Sequence, residues 1–487
     1  MLNLSVLQKV IPGLPDSWVT TQNKRAKLVA RCRRYAEGDH DGKLTNEMKE
    51  LLRSAVELDT ESSPFADNYM AGVISAMVDR LQLQAVRSDD DETINEWIDD
   101  LLSYNRLDAM QAAVFEAAIR DGDSYLMVGF DENADKPILT LEDAFDGDAG
   151  MLVWYASTSY NVIKAAIKVW AIDADSLRIN IYYPDRIEKY WTSIYANAAG
   201  GALTQWNGTP EEPEQPIQTY GAPLGVPVVH IRNRAYKQYG KSEIAGAIPL
   251  QDALNRTLQS LVMNSEYAGF PILVARGFPP PTALKPGSIV TISGDQPLTK
   301  DLTADLARLE AGSNTEFLAT AQWLAGEIER VTSTPSPESV APTSSGEARK
   351  HAEIRLVGKI KRFQVVAGNA FEDAIKLAAA MQALYGREKP PMANAWQLSA
   401  QWTSPELRDD TGIVERAMLL RDIVGDAEVL RMVAPVYGYS EQDINRILDE
   451  KAQSETSRIA QLGSALPAFS LTAGELTPND QNQDGAQ

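Results

Sequence analysis

The sequence has 487 residues, of which 44% are hydrophobic and 23% are charged, and its formal net charge is −21 at pH 7. This length exceeds one ordinary hydrophobic core, so we expect roughly two to four domains or subdomains. The composition is that of a globular chain rather than a fibrous or wholly disordered one. The acidic balance argues against a protein that grips nucleic acid over a broad face, because neutralising phosphates requires clustered lysine and arginine.

Cysteine and histidine are too sparse for the common disulfide and metal sites. Cys32 is the only cysteine, which excludes an intrachain disulfide and a cysteine-based zinc site and favours a reducing compartment. His40, His230 and His351 lie in no metal-ligand motif. No stretch has the roughly 18 apolar residues of a membrane span, and the first residues do not form a signal peptide. We therefore expect a chain made in the cytoplasm that needs no metal and no cofactor.

The segment Gly240-Lys241-Ser242 is similar to the end of a phosphate-binding loop, but the first glycine of that motif falls on Ala235. We interpret the segment as a helix-start turn capped by Ser242. No nucleophile elbow and no dinucleotide fingerprint is present. The sequence nominates no catalytic residue, so a structural protein is favoured over an enzyme of unknown mechanism.

Helical signals dominate the first part of the chain. The range Asp16–Glu37 predicts a helix that stops at Gly38, and Asn68–Leu81 predicts a second helix. A capping box at Thr93–Glu96 begins a further helical stretch, which we expect the polar segment Ser103–Arg106 to divide into two helices.

From residue 124 onward the apolar pattern changes to period two. We expect β-strands at Ser124–Phe130, Met151–Ala156, Val162–Ile172, Leu177–Tyr183 and Val226–Arg232. Together with the helices these strands predict an α+β fold that is predominantly helical.

The middle of the chain predicts a helix, a short excursion and a second helix. Apolar residues repeat at helical spacing over residues 250–269. A segment rich in proline and glycine follows, with β-like runs at Ile272–Ala275 and Ser288–Ile292. A capping box at Ser313–Glu316 then begins a helix that ends near Val331.

A loop of serine, threonine and proline separates that helix from a longer one. Residues 332–345 form the loop, because their hydroxyl side chains compete for backbone hydrogen bonds and their prolines break regular structure. The long helix is predicted over residues 346–381, with Gly358 and Gly368 as candidate bending points.

The last part of the chain predicts small elements only. Trp396–Trp402 predicts a strand, and residues 405–457 predict two or three short helices. Residues 466–487 are polar and predict a disordered tail.

Several short motifs together resemble the portal protein family of tailed bacteriophages. They are Tyr35-Ala-Glu-Gly-Asp-His40, Asn68 with Val78-Asp-Arg-Leu81, Trp97 with Asn105-Arg-Leu-Asp108, Asp121-Gly-Asp-Ser-Tyr125, Tyr183-Pro-Asp-Arg-Ile187, Gly225-Val-Pro-Val-Val229 with Asn233, Ser242-Glu-Ile244, Leu250-Gln-Asp-Ala-Leu-Asn255, Thr334-Pro, and Ser345-Gly-Glu-Ala348. Each motif alone is weak, and the resemblance lies in their order and spacing over residues 35–450. Residues 131–148 and 192–219 match no motif and are interpreted as variable insertions.

The resemblance implies a portal fold with wing, stem, clip and crown regions. The expected regions are an α+β wing at 1–240, a first stem helix at 241–270, a clip at 271–311, a second stem helix at 312–331, a tunnel loop at 332–345, a long kinked helix at 346–395 that returns to the wing and crown, a helical crown at 396–465, and the disordered tail at 466–487.

The same resemblance implies a structural subunit rather than an enzyme. It would form a homo-oligomeric ring, a dodecamer, at one capsid vertex, after assembly in the host cytoplasm. Double-stranded DNA would pass through the ring during packaging and ejection without sequence-specific contacts. The implied partners are the major capsid and scaffolding proteins, the terminase large subunit and a head-completion or adaptor protein, with no membrane. Another capsid-associated adaptor protein is the main alternative.

Three groups of residues are candidates for functional contacts. The tunnel-loop residues that would face the DNA are Thr332, Ser333, Thr334, Pro335, Ser336, Pro337, Glu338 and Ser339. Candidate subunit contacts of the stem are Phe317, Trp323 and Leu324. Candidate basic contacts to DNA or to a neighbouring subunit are Arg349, Lys350, Arg355, Lys359, Lys361 and Arg362. The alternatives are an ordinary connector for the first group, packing within the subunit for the second and a solvated face for the third.

Overall fold

Helices and strands alternate along the chain, and helix is the larger part. The computed structural model describes residues 2–41, 66–88, 92–156, 162–195, 201–234, 238–269, 272–276, 289–292, 306–309, 313–335, 346–391, 397–406, 410–421, 423–437, 439 and 443–454. Within these ranges the fold is α+β, as predicted.

The helices of these ranges follow a short 3₁₀ helix at Leu4–Lys9. They are α1 (Asp16–Ala36), α2 (Tyr69–Val78), α3 (Glu92–Tyr104), α4 (Leu107–Asp121), α5 (Ile248–Gly269), α6 (Asn314–Thr332), α7 (Gly346–Tyr385), α8 (Asp410–Leu420), α9 (Asp426–Tyr437) and α10 (443–454). The predicted helices are therefore confirmed, including the break between α3 and α4, where Arg106 has a φ of 50°.

Strands form four sheets within the described ranges. They are β1 (Leu83–Ser88), β2 (Asp123–Asp131), β3 (Lys136–Asp143), β4 (Gly150–Tyr155), β5 (Ile163–Ala171), β6 (Ser176–Tyr182), β7 (Arg186–Ser193), β8 (Thr204–Gln205), β9 (Ile217–Thr219), β10 (Val228–Arg232), β11 (Ile272–Arg276), β12 (Ile289–Ile292), β13 (Leu306–Leu309) and β14 (Leu398–Trp402).

The sheets differ in size and in strand direction. Strands β4 to β8 follow one another in an antiparallel sheet, to which β9 adds by pairing with β7. Strand β2 lies between β10 and β3, and β1 pairs with β14, both in antiparallel arrangements. Strand β11 lies between β12, which is parallel to it, and β13, which is antiparallel.

The sequence pattern did not predict six strands of these sheets, which are β1, β3, β7, β8, β9 and β13. Strand β3 lies in the segment interpreted as an insertion, and it contains Pro137. Proline cannot donate a backbone hydrogen bond, but β3 is an edge strand and tolerates it. Strand β1 pairs with β14, which is more than 300 positions away along the chain, as the partners Val86 and Ala400 illustrate. Such a distant pairing leaves little local signal.

The main core forms around Phe115 on α4. Its ring centroid lies 5.9 Å from that of Phe363, 6.1 Å from that of Phe371 and 5.5 Å from that of Trp402. Phe115 and Phe371 are fully buried, and burying one such side chain contributes about 1.5–3 kcal/mol. This contact joins α4 to the long helix α7 and to β14, so that distant parts of the chain share one core.

The chain divides into two compact units, residues 1–406 and 407–487. Strand β14, which falls in the expected crown segment 396–465, pairs with β1 and belongs to the first unit. The second unit contains α8, α9 and α10, in agreement with the prediction of short helices. The predicted tail, residues 466–487, lies outside the described residues.

The long helix α7 has 40 residues and continues through both candidate bending points. At 1.5 Å per residue it extends over about 60 Å. A Cβ atom on Gly368 would lie 3.0 Å from Ala400 Cβ and 3.2 Å from Trp402 Nε1, whereas one on Gly358 would meet nothing within 4 Å. Gly368 therefore allows β14 to approach the helix closely.

The two glycines should respond differently to substitution. We expect Gly358→Ala to stabilise the first unit by about 1 kcal/mol, the difference in helix propensity. Gly368→Leu should destabilise it, because the larger side chain collides with β14. Thermal unfolding midpoints of the two variants provide the measurement, and an equal shift in both would contradict the close approach of β14.

Candidate functional site

Motifs from separate parts of the sequence meet at the first turns of α5. The Tyr35 hydroxyl donates a hydrogen bond to Asp252 Oδ1 over 2.5 Å, and Asn255 Nδ2 donates to His40 Nδ1 over 2.7 Å. Burial, together with the hydrogen bond to the Asp252 carboxylate, raises the pKa of Tyr35 to about 12. The hydroxyl therefore remains a donor at neutral pH and binds the end of α1 to α5.

The start of α2 is bound to the same turns of α5. Gln251 Oε1 accepts from the Tyr69 backbone N–H over 3.0 Å, and its Nε2 donates to the Asp67 carbonyl over 2.7 Å. Asn255 Oδ1 accepts from the Asp67 N–H over 3.0 Å, and the side chain of Asn68 caps α2. Three helices are therefore fixed to one another by side-chain amides rather than by apolar packing alone.

A second group of motifs meets where two glycines bring backbone segments together. The Asn233 N–H donates to the Gly122 carbonyl over 2.9 Å, and the Gly240 N–H donates to Asp123 Oδ1 over 2.7 Å. Gly122 has a φ of 93°, in the left-handed region that favours glycine. A Cβ atom on Gly240 would lie 1.9 Å from the Gly122 carbonyl oxygen. Both positions therefore require glycine.

The segment Gly240-Lys241-Ser242 forms the turn before α5. Ser242 Oγ accepts hydrogen bonds from the N–H groups of Ile244 and Ala245, each over 3.2 Å. Ser242 thus caps a turn, as predicted, but α5 begins only at Ile248, so Ser242 is not the N-cap residue of that helix.

A buried chain of polar side chains supports this turn. His230 Nε2 lies 2.8 Å from Asp123 Oδ1, and His230 Nδ1 lies 2.6 Å from the Tyr155 hydroxyl. Asp123 also forms an ion pair with Arg25. Burial, reinforced by the positive charges of Arg232 and Arg25, lowers the pKa of His230 well below its ordinary value. The neutral imidazole thus donates to Asp123 and accepts from Tyr155, and the chain joins β2, β4 and β10.

A buried, charged site lies at the Glu243 junction, which we define as Asn233, Arg234, Glu243, Thr332 and Lys359. Glu243 and Lys359 side chains are 0% and 5% exposed. Glu243 accepts from Lys359 Nζ over 2.9 Å, from Asn233 Nδ2 over 2.8 Å and from Arg234 Nε over 2.8 Å. Lys359 Nζ also donates to the Thr332 carbonyl over 2.6 Å. The junction joins α7, the end of α6 and the segment before α5.

Charge pairing keeps Glu243 ionised in this junction. Burial alone would raise the pKa of its carboxyl, but the ammonium of Lys359 and the guanidinium of Arg234 outweigh burial, so the pKa lies below its ordinary value. Removing one partner of a buried pair typically costs about 3–5 kcal/mol. The site is therefore expected to be stable only as a complete unit.

The described part of the predicted tunnel loop begins inside the subunit. Thr332 is 0% and Thr334 is 6% exposed. Ser333 has a φ of 54°, and its N–H donates to the Glu329 carbonyl. The Thr334 N–H donates to the same carbonyl over 3.1 Å, the pattern of a helix C-cap with a left-handed residue. Pro335 is half-buried. The other predicted loop residues lie outside the described residues: Ser336, Pro337, Glu338 and Ser339.

The three candidate stem contacts have different surroundings. Leu324 is 6% exposed and belongs to the main core, so its contacts within the subunit are extensive. Phe317 is half-buried. Trp323 is 61% exposed, which leaves its indole ring available to another molecule.

The candidate basic residues on α7 also differ. Lys359 is committed to the buried Glu243 junction, and Lys361 pairs with Glu406 over 2.7 Å at the surface. Arg355 and Arg362 are exposed and form no ion pair with a side chain in the described ranges. The side chains of Arg349 and Lys350 lie outside the described residues, although their backbone belongs to α7.

Sequence reasoning missed the pairing of Lys359 with Glu243, although one signal was present. Lys359 lies within an apolar stripe of α7 formed with Leu356, Ile360 and Phe363, all of which are buried. A lysine within such a stripe requires a buried partner. The partner itself could not be identified from sequence, because Glu243 is more than 100 positions away.

The close approach at Gly240 provides a test of the second motif group. Gly240→Ala should destabilise the protein, because its Cβ would overlap the Gly122 carbonyl. Gly72→Ala is the matched control, since nothing lies within 4 Å of a Cβ there and alanine is favoured in the α2 interior. We expect the control to raise the thermal unfolding midpoint and Gly240→Ala to lower it. An unchanged unfolding midpoint in Gly240→Ala would contradict the close approach of Gly240 to the Gly122 carbonyl.

The Glu243 junction predicts a specific pH dependence. Because the folded pKa of Glu243 is lowered, its stabilising effect is complete above the ordinary glutamate pKa of about 4.3 and is lost as the pH falls through the folded value. Glu243→Gln should therefore be less stable than the wild-type protein at pH 7, by about 3–5 kcal/mol. The difference should shrink as the pH falls below about 4.3, as measured by thermal unfolding. A difference that does not change with pH would contradict an ionised Glu243.

Comparison with known proteins identifies the family. The sequence model of the family described as "Phage portal protein, SPP1 Gp6-like" matches residues 68–457, while no curated protein matches the chain significantly. Within the described ranges, no group of three or more histidine, cysteine, aspartate or glutamate residues could hold a metal ion. No helix of those ranges has the length and apolar character needed to span a membrane. Because the match covers most of the sequence, the chain belongs to the phage portal protein family.

Proposed function

We propose that this protein forms a ring at one capsid vertex, through which double-stranded DNA is packaged and later ejected. The observation that carries the proposal is the family match over residues 68–457. It is supported by the order of α5, a sheet of three short strands, α6 and α7 along the chain. The ring would also be the docking platform for the terminase large subunit and for a head-completion or adaptor protein, and would contact the major capsid and scaffolding proteins.

In this proposal the regions follow the chain in a fixed order. The wing is residues 1–240, the first stem helix 241–270, the clip 271–311, the second stem helix 312–331, the tunnel loop 332–345, the long returning helix 346–395, and the crown 396–465, followed by the tail.

Contacts between α5 and α6 support a stem made of these two helices. Asn264 Nδ2 donates to Asn314 Oδ1 over 2.6 Å, and Asn314 Nδ2 donates to Ser265 Oγ over 3.0 Å. These residues lie near the end of α5 and at the start of α6. The two helices are thus joined at one end, where the strands β11 to β13 leave and return. A clip would be formed by a segment of this kind, which lies between the two stem helices and extends from one end of the pair.

Electrostatics support a channel through which DNA slides. The net charge of −21 disfavours extensive salt-dependent pairing with phosphates, which would slow translocation. The hydroxyl groups of Ser333, Ser336 and Ser339 would make weak contacts without reading sequence, whereas those of Thr332 and Thr334 are buried and donate to carbonyls of the subunit itself. Arg355 and Arg362 are the basic residues of α7 that we propose to contact either DNA phosphates or an acidic surface of the neighbouring subunit. Lys359, whose side chain is only 5% exposed, is not part of this proposed contact.

The exposed indole of Trp323 supports a subunit contact along the stem. In a closed ring each subunit presents one flank to the next, so the interface is heterologous. Tryptophan is enriched among the residues that dominate such interfaces. We propose that Trp323 binds the neighbouring copy, whereas Leu324 supports the helix from within. Phe317 is a further proposed contact, and its position one heptad before Leu324 places it on the side of the helix that Leu324 occupies.

The ring itself is the first property to test. Purified protein should form particles of about twelve times the 53.4 kDa chain mass by mass photometry, with a central hole in negative-stain images. Trp323→Glu should shift the population to smaller species. Ile172→Glu, at a position 43% exposed in the turn that follows β5, is the matched control away from α6. A monomer at all concentrations, even with capsid and scaffolding proteins present, would favour the alternative of another capsid-associated adaptor.

The tunnel loop can be tested without disturbing the end of α6. Deleting residues 336–340 leaves Thr332 to Pro335 in place, so that rings should still form. Because the loop would face the DNA, we expect fewer DNA-filled particles when this variant replaces the wild-type protein. Particle counts by electron microscopy and the encapsidated DNA mass provide the measurement. Normal packaging and retention in intact rings would overturn the loop assignment.

A further inference from the structure

Lys359 joins two oxygen atoms that belong to separate parts of the chain. Its ammonium donates to the Thr332 carbonyl at the end of α6 over 2.6 Å and to the Glu243 carboxylate over 2.9 Å. Glu243 lies in the segment between β10 and α5, and its own N–H donates to the Ile119 carbonyl of α4 over 3.0 Å. The lysine thus connects the end of α6 to the body that α4 and β10 form.

The Thr332 carbonyl is a group that α6 cannot satisfy by itself. The last carbonyls of a helix have no partner within it, and the negative end of the helix dipole favours a cation there. The Ser333 and Thr334 N–H groups both donate to the Glu329 carbonyl. The Thr332 carbonyl instead accepts from Lys359 Nζ over 2.6 Å and, at the longer distance of 3.3 Å, from the Thr334 hydroxyl. The chain turns away from α6 at Ser333, and the hydrogen bond from Lys359 to the Thr332 carbonyl fixes the direction of that turn.

The buried charges of the junction require the contact between Lys359 and the Thr332 carbonyl. One carboxylate, Glu243, faces two cations, Lys359 and Arg234. The Arg234 side chain is 45% exposed and is partly solvated, whereas the Lys359 side chain is 5% exposed. The ammonium therefore needs a second protein oxygen in place of water. The end of α6 supplies that oxygen.

We propose that Lys359 is a positioning residue, which fixes the end of α6 and the direction of the chain at Ser333 and Thr334 through its bonds to Thr332 and Glu243. The consequence of this inference rests on the proposed portal function. In a portal ring, the loop after α6 would meet the DNA at a defined place only while Lys359 fixes the end of α6. Lys359 itself touches no DNA.

A simple role in stability has to be distinguished from a role in positioning. Lys359→Met keeps most of the apolar stem of the side chain but removes the ammonium. In the double variant Lys359→Met with Glu243→Gln, no buried carboxylate lacks a cation, so stability should be at least that of either single variant. The bond to the Thr332 carbonyl is still absent in the double variant. A comparison of the single variant with the double variant therefore separates the effect of Lys359 on stability from its effect on the position of the end of α6.

Lys189→Met is the matched control. Lys189 is also largely buried, with a side chain 13% exposed, and pairs with Glu214 over 2.7 Å, but it lies on β7 rather than at the junction. Its substitution removes a comparable ion pair, and it should leave the end of α6 unchanged.

Hydrogen exchange of the purified full-length protein measures the positioning directly. We expect the Ser333 and Thr334 amides to exchange roughly tenfold faster in Lys359→Met, since a bond to a charged group is lost. The double variant should show the same increase, and Lys189→Met should not. DNA retention in particles should follow the exchange rate rather than the unfolding midpoint, with the double variant retaining less DNA than the wild-type protein.

Two results would overturn the inference. The first is unchanged exchange at Ser333 and Thr334 in Lys359→Met. The second is recovery of both the exchange rate and DNA retention in the double variant, which would make Lys359 a charge partner only. Failure of the wild-type protein to form rings would instead contradict the portal proposal, and the exchange measurement would still decide the role of Lys359.

Discussion

The buried carboxylate of Glu243 is the interaction on which the arrangement of the middle of the chain depends. It cannot remain in the interior without cations, and the two that it binds come from different places, Arg234 beside it and Lys359 on the long helix. Lys359 in turn needs the Thr332 carbonyl. A single buried negative charge thereby fixes the relative positions of α4, the turn before α5, the end of α6 and α7.

Backbone geometry makes this site possible. Gly122 and Gly240 let two segments approach closely enough for Glu243 to bond to the Ile119 carbonyl and for the turn at Ser242 to form. The motifs that resemble those of portal proteins supply Gly122, the Ser242-Glu-Ile244 segment that follows Gly240, and the amide cluster at Asn255. These motifs maintain the junctions between elements. At these positions the family resemblance arises from residues that hold the fold together.

Much of the secondary structure could be predicted because its signals are local. Capping residues such as Asn68 and Ser313, the stop at Gly38 and the apolar periodicity of α5, α6 and α7 act within a few positions. Strand β1 and the pairing of Lys359 with Glu243 could not, because their partners are distant in sequence. The basic stretch on α7 shows the same limit: charge composition suggested one surface, whereas burial separates Lys359 from the exposed Arg355 and Arg362.

The central claim is that α5 and α6 form the stem of a ring and that the chain between α6 and α7 faces its channel. A reconstruction of the assembled particle by electron cryomicroscopy tests this claim most directly. The account predicts that residues 336–345 lie at the channel wall, with β11 to β13 at one end of the ring and with Lys359 and the buried Thr332 behind the wall. Placement of residues 336–345 on the outer surface of the ring, away from the channel, would contradict it.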